Sequence, residues 1–203
     1  MMVTLLKIGV ISMNQTSLLD AFSQGMTFTA YLQTMQTLQR HMREQYETLP
    51  ITETAVAEFA AVAAANGVTR IFILTEDFCP DSAMNIPIAA RLADAIPALE
   101  LRIARRDDFW DVANRFLAAD GNSHIPTVIF LTEAGSVAGV WHERSVAAHK
   151  LLAEFVAENP APPREDENGN VTPAFRKWAS QRLQLQKKAY AANLWLETVR
   201  EWQ

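Results

Sequence analysis

The run "VTRIFILT", from Val68 to Thr75, constrains the fold of this chain more than any other stretch. It is β-branched or apolar nearly throughout, which predicts a strand buried on both faces. A strand covered on both sides requires helices above and below its sheet. The flanking sequence supplies them. Upstream, "TETAVAEFAAVAAANG" predicts a helix capped by Thr52, with acidic residues at its start and Gly67 as a left-handed stop. Downstream, Pro80 stands where a first-turn proline is tolerated, and Ala83 to Ala95 carry a helical pattern.

The pattern continues with "LELRIAR" as a strand, "DDFWDVANRFLAA" as a helix and "DGNSH" as a turn. "TVIFLT" and "VAGVWH" are separated only by "EAGS", which predicts an antiparallel hairpin. "SVAAHKLLAEFVAE" then closes the core as a helix. The first two strands are joined by a helix and should be parallel, on the right-handed crossover rule. The sheet is therefore mixed, and the core, residues 51–158, is an α/β sandwich. Residues 1–50 form a helical N-terminal extension, in which "MTFTAYLQTMQTLQRHMREQYETL" predicts one helix with Thr27 as cap and Pro50 as its end. Residues 159–203 hold an exposed linker, "NPAPPREDENGNV", and a long amphipathic helix from Pro173 to Trp202. The apolar start carries one charge, Lys7, and no small-residue cleavage pattern, so no signal peptide is expected. It reads as a strand, a leader or a start placed too far upstream, with Met13 and Met26 as alternatives.

Composition excludes several classes. An apolar share of 49% with 20% charged residues is that of a soluble globular chain. A net charge of −5 argues against sequence-independent nucleic-acid binding. No apolar run is long enough to span a bilayer, so no membrane partner is expected. One cysteine rules out an internal disulfide, which suits a cytoplasmic protein.

That cysteine, Cys79, lies in "EDFCPDSAMNIP", between the buried strand and the next helix. Reactive groups in α/β sheets collect at such strand ends. Unpaired N–H groups and the positive end of the helix dipole favour a thiolate there and lower its pKa. Ser82 can donate a hydrogen bond to the sulfur but cannot resolve a mixed disulfide. Glu76, Asp77 and Asp81 oppose thiolate formation by their charge. A lone cysteine elsewhere is more often a buried small hydrophobe; this placement favours reactivity.

Three features stand at matching distances: "FCPDS" on the strand-to-helix turn, Pro87 eight residues after Cys79, and "HIPTVIFL" at the third strand. On these, the segment from about Thr52 to Glu158 resembles the thioredoxin family, more narrowly the bacterial thioredoxin-like proteins with a "TE-x-W-C-x-D-C" signature. The resemblance implies a thioredoxin-like three-layer sandwich with helical extensions at both ends. It implies Cys79 and Ser82 as catalytic positions and a cis peptide before Pro126. Phe78, Pro80, Asp81, Ile125 and Pro126 become the substrate-facing residues. Two departures matter. Ser82 replaces the resolving cysteine, and Ile73 stands where many thioredoxins bury an aspartate.

Other chemistry finds little support. His41, His124, His142 and His149 lack metal-site spacing, and no Gly-rich phosphate loop is present. "DENGNV" departs from a calcium loop at Val171 and Lys177. The expected activity is monothiol thiol–disulfide exchange on protein or glutathione disulfides, without a cofactor and with glutathione as the external resolving thiol. The alternative is a binding or scaffold protein that kept the fold without redox turnover. The aromatic stripe on the C-terminal helix packs against the core or forms a homodimer with a second copy.

Overall fold

Short capping residues set where the first helices begin. The structure, a computed structural model, describes residues 17–203; the apolar start read above as strand or leader lies outside them. Ser17 and Thr27 accept hydrogen bonds from backbone N–H groups and open α1 (Leu18–Gln24) and α2 (Phe28–Thr34). The single helix expected through this region is in fact two, with α3 (Gln39–Thr48) following a break. Leu38 takes a left-handed conformation at the break, φ 55°. Contacts distant in sequence hold it. The Gln36 N–H donates to the Asp77 carboxylate at 2.8 Å, the Gln39 amide donates to the Leu32 carbonyl, and Met35 is buried. Tertiary partners override a helical pattern here. Thr52 caps α4 (Glu53–Ala65), and Gly67, at φ 66°, turns the chain into β1 (Val68–Thr75).

Cys79 and Pro80 open α5 (Pro80–Ala95), which leads to β2 (Glu100–Arg105). The helix expected over "DDFWDVANRFLAA" shrinks to a 3₁₀ turn at Arg106–Phe109 and one α turn, α6 (Trp110–Ala113). Of that turn only Val112 and Ala113 are buried, and the Arg115 and Phe116 N–H groups already bond three residues back. A single turn of apolar surface does not sustain a longer helix. The strands β3 (Thr127–Thr132) and β4 (Val137–His142) form the hairpin, turned through Gly135 at φ 81°.

The strand order is β2-β1-β3-β4. β1 runs parallel to β2, with Ile73 opposite Ile103, and antiparallel to β3, with Ile73 opposite Val128. One face presents Ile71, Ile73, Val128, Phe130 and Trp141 to α4, α5 and the C-terminal helix. The other presents Phe72, Leu74, Ala104, Ile129 and Leu131 to α1 and α6. The mixed α/β sandwich is as the sequence implies. Met26 adds a bridge to Ile103 at the β2 edge.

After α7 (Val146–Glu158), capped by Ser145, the acidic linker makes a tight turn. The Asp166 carboxylate accepts the N–H groups of Asn168 and Asn170. Thr172 and Pro173 then open α8 (Pro173–Ala189), which passes through one π turn, Tyr190–Leu194, into α9 (Trp195–Glu201). Phe175 and Trp178 stack with each other, and Trp178 packs on Phe155 of α7. Trp202 meets Phe59, Phe130 and Trp141 edge-on, with centroids 5.5–6.5 Å away. Trp195, Val199 and Trp202 are buried, and each such side chain contributes about 1.5–3 kcal/mol. The C-terminal segment is thus part of the core, and with α3 it encloses α5, in which every residue from Asp81 to Ala90 is buried.

Candidate functional site

Cys79 is the N-cap residue of α5, extended at φ −84°, with Pro80 fixing the first turn. The cysteine thiol donates to the Ile125 carbonyl at 3.3 Å, and the Ile125–Pro126 peptide bond is cis. The end of β1, the start of α5 and the entrance to β3 therefore converge on one sulfur. Ile125 is half-buried, Pro126 is buried, and Phe78 is 59% exposed beside them. Pro80 is half-buried on the same turn.

The geometry of a helix-start cysteine is present, but its electrostatics run against the expected thiolate. Only 7% of Cys79 is exposed, and burial pushes the thiol up, with the Asp81 charge second. The Ser82 hydroxyl and the Ser82 and Asp81 N–H groups pull the other way and lose. Desolvation penalises the charged form more than these donors reward it. Ser82 is wholly buried, and the Thr75 hydroxyl donates to its Oγ at 2.6 Å.

Of the three neighbouring acids, Asp81 is the one that acts on the sulfur. Arg105 lies 3.6 Å from Glu76 and 3.8 Å from Asp77, and both carboxylates also accept backbone N–H groups, from Asp107 and Gln36. Asp81 is 3% exposed, and its Oδ1 accepts from Arg144 Nε at 2.8 Å and from Gln186 Nε2 at 2.9 Å. One turn further along α5, Asn85 receives the Tyr190 hydroxyl at 3.0 Å and the Thr198 hydroxyl at 2.9 Å. Tyr190 stands on the π turn, where the extra residue re-aims side chains that a regular helix would space differently.

His124 does not face the sulfur freely. Its Nε2 lies 2.8 Å from Asp120 and its Nδ1 3.3 Å from Glu143, so it ties the loop before Pro126 to the β4–α7 connection. Burial lowers the pKa of His142, whose Nδ1 lies 3.2 Å from the Thr127 hydroxyl. Ile73 is fully buried in the sheet, so no carboxylate occupies that position. Among the described residues no group of three or more His, Cys, Asp or Glu is placed to hold a metal ion.

The sequence pattern points to Phe78, Cys79, Pro80, Asp81, Ser82, Ile125 and Pro126, which the fold places near one another. It did not reveal Thr75, Arg144, Gln186, Asn85 or Tyr190. Thr75 ends a strand whose apolar character hid its hydroxyl. Arg144 sits in "WHERS", which reads only as a strand end and a helix start.

A family model described as thioredoxin matches residues 25–157. No curated protein matches. Among solved structures, a protein of unknown function from Pseudomonas aeruginosa is 19% identical with a TM-score of 0.57, covering 85% of this chain and 98% of its own. An HIV epitope-scaffold gives the same identity and TM-score, covering 85% of this chain and 99% of its own. At that identity the likeness concerns the fold alone, and it takes in more of this chain than the family model does.

Proposed function

The chain belongs to the thioredoxin family, and on that premise we propose that it acts as a monothiol thiol–disulfide oxidoreductase through Cys79. The observation that carries this reading is the placement of the Cys79 sulfur. It caps α5, 3.3 Å from the Ile125 carbonyl and beside the cis Ile125–Pro126 bond. An extended chain can pair with the backbone at such a strand entrance, which suits a protein disulfide or the short peptide of glutathione disulfide.

In the proposed reaction Cys79 loses its proton to solvent and the thiolate attacks one sulfur of the disulfide. The old S–S bond breaks, a new one joins Cys79 to the substrate, and the other sulfur leaves as a thiolate that takes up a proton. Ser82 stabilises the Cys79 thiolate by hydrogen bonding but has no sulfur with which to close a second disulfide. A second thiol, such as glutathione from a reducing compartment like the cytoplasm, attacks the mixed disulfide and restores Cys79. A raised thiol pKa leaves less thiolate at neutral pH, but each thiolate is more nucleophilic. No cofactor enters this scheme.

A second reading has its own support. Cys79 is nearly enclosed and burial holds it protonated, as expected of a binding or scaffold protein that kept the fold without turnover. Incubation with oxidised glutathione, followed by intact-mass measurement, separates the two. The oxidoreductase reading expects one glutathionyl group per chain, removed by reduced glutathione and absent in Cys79→Ser. No adduct on the folded protein, at any pH where the thiol ionises, would leave the binding reading.

A further inference from the structure

The C-terminal helix reaches the thiol site although the family match ends at residue 157. The Asp81 carboxylate is buried and bonded by side chains from two other segments. Arg144 grips it with two nitrogens, Nε at 2.8 Å from Oδ1 and Nη2 at 2.5 Å from Oδ2. Gln186 donates to Oδ1 at 2.9 Å, and Arg182 stands 3.9 Å from Oδ2. Both of these come from α8. Nothing local to α5 requires such an arrangement, since an exposed acid in the first helical turn is stable without partners. Asp81 is instead buried, two residues from a buried sulfur, and a bare carboxylate there would strongly disfavour a thiolate.

We propose that Arg144 and Gln186, assisted by Arg182, are positioning residues for Cys79: they fix the Asp81 carboxylate and offset its charge, making α8 part of the thiol site. The other charged groups near the sulfur are already paired. Arg105 serves Glu76 and Asp77, while Asp120 and Glu143 flank His124. Glu143 also touches Arg144 and so shares its charge with Asp81, and His149 lies 3.2 Å from Arg144. The inference rests on Cys79 being the working nucleophile, but its test reads the sulfur directly and needs no turnover.

The experiment is the pH dependence of iodoacetamide alkylation of Cys79 in the full chain, followed by intact mass. Asp81→Asn should lower the inflection by about one pH unit, because the carboxylate charge is then gone while Arg144 and Arg182 remain. Arg144→Gln should raise it by a similar amount, Arg144→Lys should fall between that variant and wild type, and Gln186→Leu should raise it by less. The Asp81→Asn/Arg144→Gln pair should return close to wild type. Where Arg144→Gln does not fold, Asp81→Asn and Gln186→Leu carry the test. Folded Asp81→Asn and Gln186→Leu proteins with wild-type inflections would overturn the proposal. If the inflections move as expected but no glutathione adduct forms, the oxidoreductase reading fails and this one stands.

Discussion

Helix α5 is held by segments from opposite ends of the chain, and the two use different chemistry. From the N-terminal side α3 sets Met42 against it, and the following Leu49 joins the same core; both are almost wholly buried. The polar contacts on that side lie at the far end of α5 and are exposed or only part-buried: Arg91 donates to the Tyr46 and Leu49 carbonyls and lies over the Tyr46 ring, and the Tyr46 hydroxyl donates to the Asp94 carboxylate. From the C-terminal side, α8 and α9 reach α5 through Asp81 and Asn85, each bonded by side chains from the far end of the sequence. An apolar grip depends on volume and tolerates a side chain of similar shape. A polar grip depends on every donor meeting its acceptor, since a buried polar group without its partner costs about 1–3 kcal/mol. The exacting contact lies on the side next to the sulfur.

That contrast can be broken by substitution. Arg144→Met, which leaves Asp81 buried and poorly paired, should cost the most, about 3–5 kcal/mol in urea unfolding. A loss below about 1 kcal/mol would show that Gln186 and Arg182 suffice without it. On the apolar side Met42→Ala should cost about 3 kcal/mol, whereas Met42→Leu should stay below about 1.5 kcal/mol. Equal losses for the two Met42 variants would mean that this side is as exacting as the other. Gln186→Leu removes one hydrogen bond to a charged acceptor and should cost about 2 kcal/mol. The smallest effect is expected from Thr172→Ala, which removes the α8 cap for about 1 kcal/mol and should leave Cys79 alkylation unchanged.

What could be read in the sequence follows the same division. The buried strand, the helix-start cysteine, the hairpin and the proline before β3 are written in neighbouring residues, so local pattern suffices for them. The break at Leu38 is set by Asp77 and the short α6 by how little of it is buried, and neither shows in helical spacing. The partners of Asp81 lie 63 and 105 residues away in sequence. No periodicity links Arg144 or Gln186 to "FCPDS"; only the folded chain does. The surroundings of the sulfur are hidden from the sequence for a related reason. Helix position is legible from Pro80 and Asp81, but the burial that opposes it exists only in the folded chain.

The pH dependence of Cys79 alkylation in the unaltered chain tests that last point most directly. Burial, reinforced by Asp81, should place the inflection above the ordinary thiol value of about 8.5. An inflection below that value would contradict the account, because the helix-start N–H groups and Ser82 would then govern the sulfur in spite of its enclosure.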